Sequence, residues 1–369
     1  MKLHDKISWL MGRVQKSLFP HLNQSLQAEL TDKEERFVSI LEIIEIEQYV
    51  PKKIRRFQNP GRKPADRQAC ARAFVAKAFY RFKTTSDLRL ALQSAPNLRQ
   101  ICGFVTVKEI PSESTLSRVF GEFASCELGE KVHAALVDSY LTEELVGHIS
   151  RDSTAITGRE KPARKKAAPP PKLRKRGRPA KGEKREPKEE KRLDRQVRQS
   201  AEESIGELPT VCDRGTKKNA KGYKVSWNGY KLHLDVTDIG LPVSAVVTSA
   251  SLHDSQVAIP LIKRTSSRVT YLYDLMDAAY DAERISETSI KYGHVTIADK
   301  NSRGREVVPM APHAAQRYKI RSVVERANGR LKEEFGAKDV MVKGHSKVTL
   351  HLMFGVITLF ADQLLQLVK

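Results

Sequence analysis

A chain of 369 residues with 40% hydrophobic side chains has the material for two domains and a sizeable core. Its formal net charge of +21 and pI near 9.8 point to a polyanionic partner, with nucleic acid the first reading and an anionic membrane surface the second. Cys70, Cys102, Cys126 and Cys212 stand singly, which argues against a zinc module or a disulfide scaffold.

In the first twenty residues Lys6, Arg13 and Lys16 interrupt every apolar run, unlike a signal peptide. Residues 1–145 read as mostly helical. Apolar residues recur at helical intervals over 35–49 and 65–82, with a helix start at Pro64 and Asp66. In IPSESTLSRVFGEFA, Ser112 or Ser114 caps a helix whose apolar face is Leu116, Val119, Phe120 and Phe123. The layout suits either a helix-turn-helix-like DNA-binding domain or a bundle that only packs on a second domain.

Near Leu145 the pattern changes, and LVGHISRDSTAI reads as a strand ending at Asp152. From Arg159 to Arg198, 18 Lys or Arg stand against 6 Asp or Glu, with six prolines and only Leu173, Leu193 and Val197 as large apolar residues. So little can be buried that a largely disordered insertion is expected over 159–221. Within it Lys175-Arg176-Gly177-Arg178-Pro179 resembles an AT-hook core, whose extended Arg-Gly-Arg fits a narrow minor groove. A generic basic linker that neutralises phosphates is the alternative. Either version binds DNA through Lys175, Arg176 and Arg178.

Order resumes near Gly222. Strands are predicted over 230–236 and 242–248 around a turn at Asp238-Ile239-Gly240, then a helix over 251–264. A third strand over 269–276 delivers Asp277 at its end; a helix over 281–292 and a short strand over 294–298 follow. A last pair of helices is expected over 317–335 and in the apolar stretch 350–368. The latter is broken by His351, Asp362, Gln363 and Gln366, and its uninterrupted part, 352–361, is too short to span a bilayer. It reads as the buried core helix of a soluble, intracellular protein. The order strand, hairpin, helix, strand, helix, strand, helix is that of an RNase H-like α/β fold, a mixed sheet with flanking helices. The expected divisions are an all-α N-terminal domain (1–145), the sheet domain (146–158 and 222–369) and the basic insertion (159–221).

The helix over 317–335, RYKIRSVVERANGRLKEEF, carries Ile320, Val324, Ala327 and Leu331 as its apolar stripe. At about 100° per residue, Tyr318, Arg321, Glu325 and Lys332 fall within an arc of about 60° beside that stripe. Lys319, Arg326, Arg330 and Glu333 make an ordinary solvated face. The spacing Tyr-x2-Arg-x3-Glu-x6-Lys resembles the Y-R-E-K signature of DDE transposases encoded by bacterial insertion sequences. RDSTAI resembles that family's first-Asp motif, and DLMDAAYDAERI its Asp-x-small-Tyr-Asp pattern, with Ala279 where glycine is common. The order RKPADRQ, LRQICGF, IPSESTLSR resembles the N-terminal domain frequent in these enzymes.

The resemblance implies that Asp152, Asp277 and Glu325 are the catalytic, metal-binding triad and that Tyr318, Arg321 and Lys332 contact DNA phosphates. It implies two Mg²⁺ ions, with Mn²⁺ able to substitute, and DNA as partner, both the transposon ends and the target. A homodimer in the synaptic complex, no membrane, and a cytoplasmic, nucleoid-associated location in a bacterium are also implied. The chemistry is consistent with this. Phosphodiester cleavage with two divalent ions about 3.5–4 Å apart needs hard oxygen ligands, and neighbouring strand ends lie about 5 Å apart.

Other acidic residues compete. Asp274 is expected on the opposite face from Asp277, Asp281 is expected to cap the next helix, and Asp238 belongs to a turn. Asp235 could border the site, Asp254 flanks the hairpin, and His253 stands beside it. His345 and His351 read as polar contacts near the core. Only 48 positions separate Asp277 from Glu325, so the large β-strand insertion of some members is absent there. Two other functions stay open: a catalytically silent DNA-binding protein, and a metal-dependent RNase H-like nuclease that hydrolyses without strand transfer.

Overall fold

The computed structural model describes residues 29–51, 64–163, 190–218, 222–301, 306 and 309–368. The AT-hook-like residues Lys175, Arg176 and Arg178 lie outside them. Helices come first: α1 (Asp32–Ile44), α2 (Arg67–Phe79), α3 (Thr85–Ser94), α4 (Pro96–Cys102), α5 (Glu113–Ser125) and α6 (Leu128–Leu141). Their starts are local chemistry. Thr31 with Glu34 and Thr84 with Asp87 close capping boxes, while Asp66 and Ser112 cap α2 and α5 by accepting from first-turn amides. Between the two serines considered for α5, Ser112 is the cap.

The sheet contains β1 (Leu145–Thr157), β2 (Asp213–Lys218), β3 (Lys224–Thr237), β4 (Pro242–Ser249), β5 (Thr270–Met276) and β6 (Val295–Ala298). The second half of β3 lies between β1 and β4, antiparallel to both, and its first half pairs with β2. On the other side β1 pairs parallel with β5, and β5 with β6. An antiparallel meander continued by parallel strands, with helices on both faces, is the RNase H-like arrangement.

Three expectations about the elements themselves need correction. The segment 190–218 is not disordered. α7 (Arg192–Arg198) and α8 (Ala201–Gly206) fold, and β2 joins the sheet. Leu193 and Val197, four apart, pack one side of α7 onto Ile259, Ile262, Met276 and Tyr280. Lys263 then satisfies the end of that helix, its Nζ donating to the carbonyls of Gln196 (2.6 Å), Val197 (3.0 Å) and Gln199. Two apolar residues in the right register outweigh an unfavourable composition.

Second, β1 does not end at Asp152 but runs on to Thr157; it is β5 beside it that ends, at Met276. Third, the helix over 317–335 is not continuous. α9 (Ser255–Ser266), α10 (Glu283–Lys291) and α11 (Pro312–Tyr318) precede a 3₁₀ turn at Lys319–Arg321, and only then does α12 (Ser322–Glu333) begin. Tyr318, at the end of α11, and Arg321, in the turn, thus both precede the helix that carries Glu325 and Lys332.

α13 (His345–Val368) is long and apolar enough to cross a membrane, yet it is buried through the middle of the fold. Its residues share one continuous core with α1, α2, α5, α6, α12, β1, β3 and β4. Asp362, 1% exposed, is held by Arg36 of α1 at 2.6 Å and by Arg330 of α12. Arg330 is therefore an internal tie, not part of a solvated face. His133 of α6 bonds the Pro242 carbonyl at 2.8 Å, joining the helical region to β4.

Candidate active site

Alternation along β1 sends Arg151 and Asp152 to opposite faces of the sheet. The parallel register ends at Ser150 opposite Leu275. Carried two residues further, it sets Asp152 beside Asp277, where neighbouring strands lie about 5 Å apart. Asp152 therefore reaches solvent where β5 gives out, and Asp277 stands at the edge so created. The Asp277 carboxylate accepts from the Ala279 amide at 2.9 Å, which starts a short 3₁₀ turn. Ala279 is not among the described non-glycine residues with positive φ, so the missing glycine costs nothing there.

α12 lies against β1 and β3 on the Asp152 face. Asn328, one turn after Glu325, donates to Asp152 at 3.1 Å. Arg321 binds Glu325 at 2.6 Å, and its other terminal nitrogen, Nη1, lies 3.9 Å from Asp152. That nitrogen is buried and has no hydrogen-bond partner, and the Asn328 Oδ1 is equally bare. Burial works against the Arg321 charge, but Tyr318, Asp152, Glu325 and Asp277 outweigh it and raise its pKa. The guanidinium also sits 5.8 Å from the Tyr318 ring centroid. Half-buried Lys332 has its pKa lowered by burial and by Lys217 of β2, while Asp152 acts the other way.

The two strand carboxylates carry charge that the protein only partly balances. Burial, opposed by Arg321, pushes Asp152 up to about 6, and Asp277 and Asp254 add to the rise. Burial raises Asp277 as well. Negative oxygens held close together against their own solvation are what a hard divalent cation would relieve. Asp152 and Asp277 fit such an ion. Among the described residues no three acidic or metal-binding side chains stand gathered into a finished cage. Glu325 is exposed and turned to Arg321.

The competing carboxylates fall into place differently. Asp235 does not border the site. It lies on the opposite face, bound by Arg151 at 2.8 and 2.6 Å. Asp274, also opposite, is 3.5 Å from Arg151. Asp281 does not cap α10, whose cap position is Ala282; it pairs with Lys300 at 3.1 Å. His345 and His351 bond the carbonyls of Val247 and Gly336. Asp254 is closer to the chemistry than its place in the sequence suggests. Burial would raise its pKa, but His233, Lys231 (2.8 Å away) and Ser153 hold it below the usual carboxylate range. It shares electrostatic contact with Asp152 and Asp277 around the buried Tyr280 hydroxyl, which has no hydrogen-bond partner. Asn328, Tyr280 and Lys217 have no signal of their own in the sequence, apart from Tyr280's place in the Asp277 motif, and Asp254 reads there only as a residue that flanks the hairpin.

A family model described as a transposase DDE domain matches residues 148–361, a span that contains Asp152, Asp277 and Glu325. Another, described as a transposase domain (DUF772), matches residues 24–122, from before α1 into α5. No curated protein and no solved structure matches the chain.

Proposed function

The chain belongs to the DDE transposases, enzymes that act on DNA, and from that premise we propose that it cuts the ends of its element and joins them to target DNA with divalent ions held by Asp152, Asp277 and Glu325. In the first reaction water displaces one strand at a phosphodiester and leaves a 3′-OH. In the second that 3′-OH attacks a target phosphodiester, forming one P–O bond and releasing another 3′-OH. The observation that carries this reading is the convergence of Arg321 and Asn328 on Asp152 at the point where β5 ends beside Asp277.

Each side chain has work that follows from its position. When bound, Mg²⁺ or Mn²⁺ supplies charge stabilisation for the entering and leaving oxygens. Asp277, fixed by the Ala279 amide, and Asp152, fixed by Asn328, present oxygens that need little reorganisation. The bare Nη1 of Arg321 is a donor for a non-bridging phosphate oxygen, and releasing Glu325 from the same guanidinium turns that carboxylate to the strand pair. Tyr318 and Lys332 border the same phosphate, Lys332 as a point charge. The helical region would hold the element end, and the Lys175, Arg176 and Arg178 segment would add sequence-independent affinity. Two ends require two copies, so a homodimer forms at synapsis.

A nicking and joining assay tests this, using the DNA that borders the element, Mg²⁺, and Asp277→Asn alongside. Nicks at the 3′ ends and joined products, both lost in the variant, are expected. Binding without nicks would mean a silent DNA-binding protein, and nicks without joining a nuclease.

A further inference from the structure

A second cationic feature lies away from the carboxylates, at the seam between the helical region and the sheet. It is a cleft of about 330 Å³ lined by Lys77 of α2, Ser117 of α5, Arg159 just past β1, and Lys343 and Lys347 around the start of α13. None of its lining residues is acidic. Lys77 is 9% exposed; its Nζ donates to the Lys83 carbonyl at 3.1 Å, and burial pushes its pKa down to about 8. Arg159 donates to the Met341 carbonyl at 3.3 Å, which ties the loop before α13 to the end of β1. The Lys347 stem passes over Gly121 of α5, 3.6 Å from where a Cβ would stand.

Three carboxylates on the segments around this cleft have partners of their own. Glu160 accepts from the Gly344 amide at 3.1 Å and from the Tyr230 hydroxyl. Asp87 accepts from the Thr84 amide at 2.9 Å in the α3 capping box. Asp339 lies 3.9 Å from Lys83. Lys343 and Lys347 are exposed and have no ion pair among the described residues. Asp87 and Asp339 still act on Lys77, but Lys343 and Lys347 face the concavity with no carboxylate paired to either among the described residues.

We propose that this cleft binds the backbone phosphates of duplex DNA at a second point, remote from the cut. The inference rests on the transposase reading for its ligand and on the cleft for its place. Arg159 is seven residues past Asp152 along the β1 direction, at most about 23 Å at about 3.3 Å per residue. At 3.4 Å per phosphate along a strand, that is within about seven base pairs of the cut. A duplex held there and at Arg321 would be fixed in direction as well as position. The contact reads no bases, because the groups presented are lysines, a guanidinium and a hydroxyl.

Lysine acylation of the full chain, read by mass spectrometry, tests this with three ligands: element-end duplex, unrelated duplex, and inorganic phosphate at the same phosphate concentration. Both duplexes should protect Lys343 and Lys347, and phosphate should not. The double variant Lys343→Gln, Lys347→Gln changes only exposed side chains, so folding is not at stake. It should bind both duplexes about tenfold more weakly, with the salt slope reduced by about 2. Wild-type binding with both lysines unprotected and the slope unchanged overturns the cleft alone. Protection by phosphate without protection by DNA overturns it too. No DNA binding by the wild type would overturn the transposase reading together with it.

Discussion

Arg151 and Asp152 are consecutive residues that face opposite sides of one sheet, and their surroundings could hardly differ more. On the Arg151 side every member of the cluster is fully buried. Arg151 holds Asp235 with two bonds and approaches Asp274; Thr265 donates to Asp235 at 2.6 Å, and Ser289 to Asp274 at 2.5 Å. Burial opposes the Arg151 charge, but the two carboxylates outweigh it and its pKa is raised. On the Asp152 side the Asn328 amide, the Ser153 backbone and a distant guanidinium serve a carboxylate pushed up to about 6. Opposite charges locked together without water make architecture. Like charges kept together, with a cation at arm's length, make a site that needs a ligand.

The contrast can be broken from either side. Asp277→Asn should abolish nicking by about 10³-fold, equivalent to about 4 kcal/mol of transition-state stabilisation, while leaving the unfolding midpoint nearly unchanged. A variant that nicks within tenfold of wild type removes Asp277 from the chemistry. Arg151→Met should do the reverse. It leaves two buried carboxylates without their cation and should cost about 3–5 kcal/mol in urea unfolding. A loss under about 1 kcal/mol would mean that the triad is not the lock described.

The pH dependence sharpens the same contrast. Burial lifts the Asp152 pKa to about 6, above its value in the unfolded chain, so the folded state binds the proton more tightly. That contribution to stability is full below the ordinary carboxylate range and is lost as pH rises through about 6. With divalent ions chelated, Asp152→Asn should therefore raise Tm near pH 8 and have no such effect below about pH 4. A fall in Tm near pH 8 would contradict it. Smaller still, Asn328→Ala should cost about 1 kcal/mol or less and slow nicking at saturating DNA. Unchanged nicking would show that Asp152 needs no orienting amide.

Much of this was legible in the sequence because it is local. Asp277 follows a strand of apolar residues, Asp66 and Ser112 announce α2 and α5, and the Tyr318, Arg321, Glu325, Lys332 spacing survives the 3₁₀ turn that interrupts it. The turn itself was not legible, because Ile320, Val324, Ala327 and Leu331 suit a continuous helix equally well. α7, α8 and β2 were hidden by composition: a window that counts charges does not see that Leu193 and Val197 share one side of a turn. Partners brought together only by the fold, such as Asn328 with Asp152 or Lys217 with Lys332, leave no trace in spacing. The same holds for Asp254, whose partners Lys231, His233 and Ser153 come from β3 and β1.

The central claim is that Asp152, Asp277 and Glu325 hold one divalent site. Substituting Fe²⁺ and generating hydroxyl radicals at the bound ion, with element-end DNA present, would cut the protein's own backbone near the ion. The account predicts cuts in three separate segments, around 152, 277 and 325, competed away by Mg²⁺ and absent from Asp277→Asn. Cuts confined to one segment, or unchanged in that variant, would contradict it.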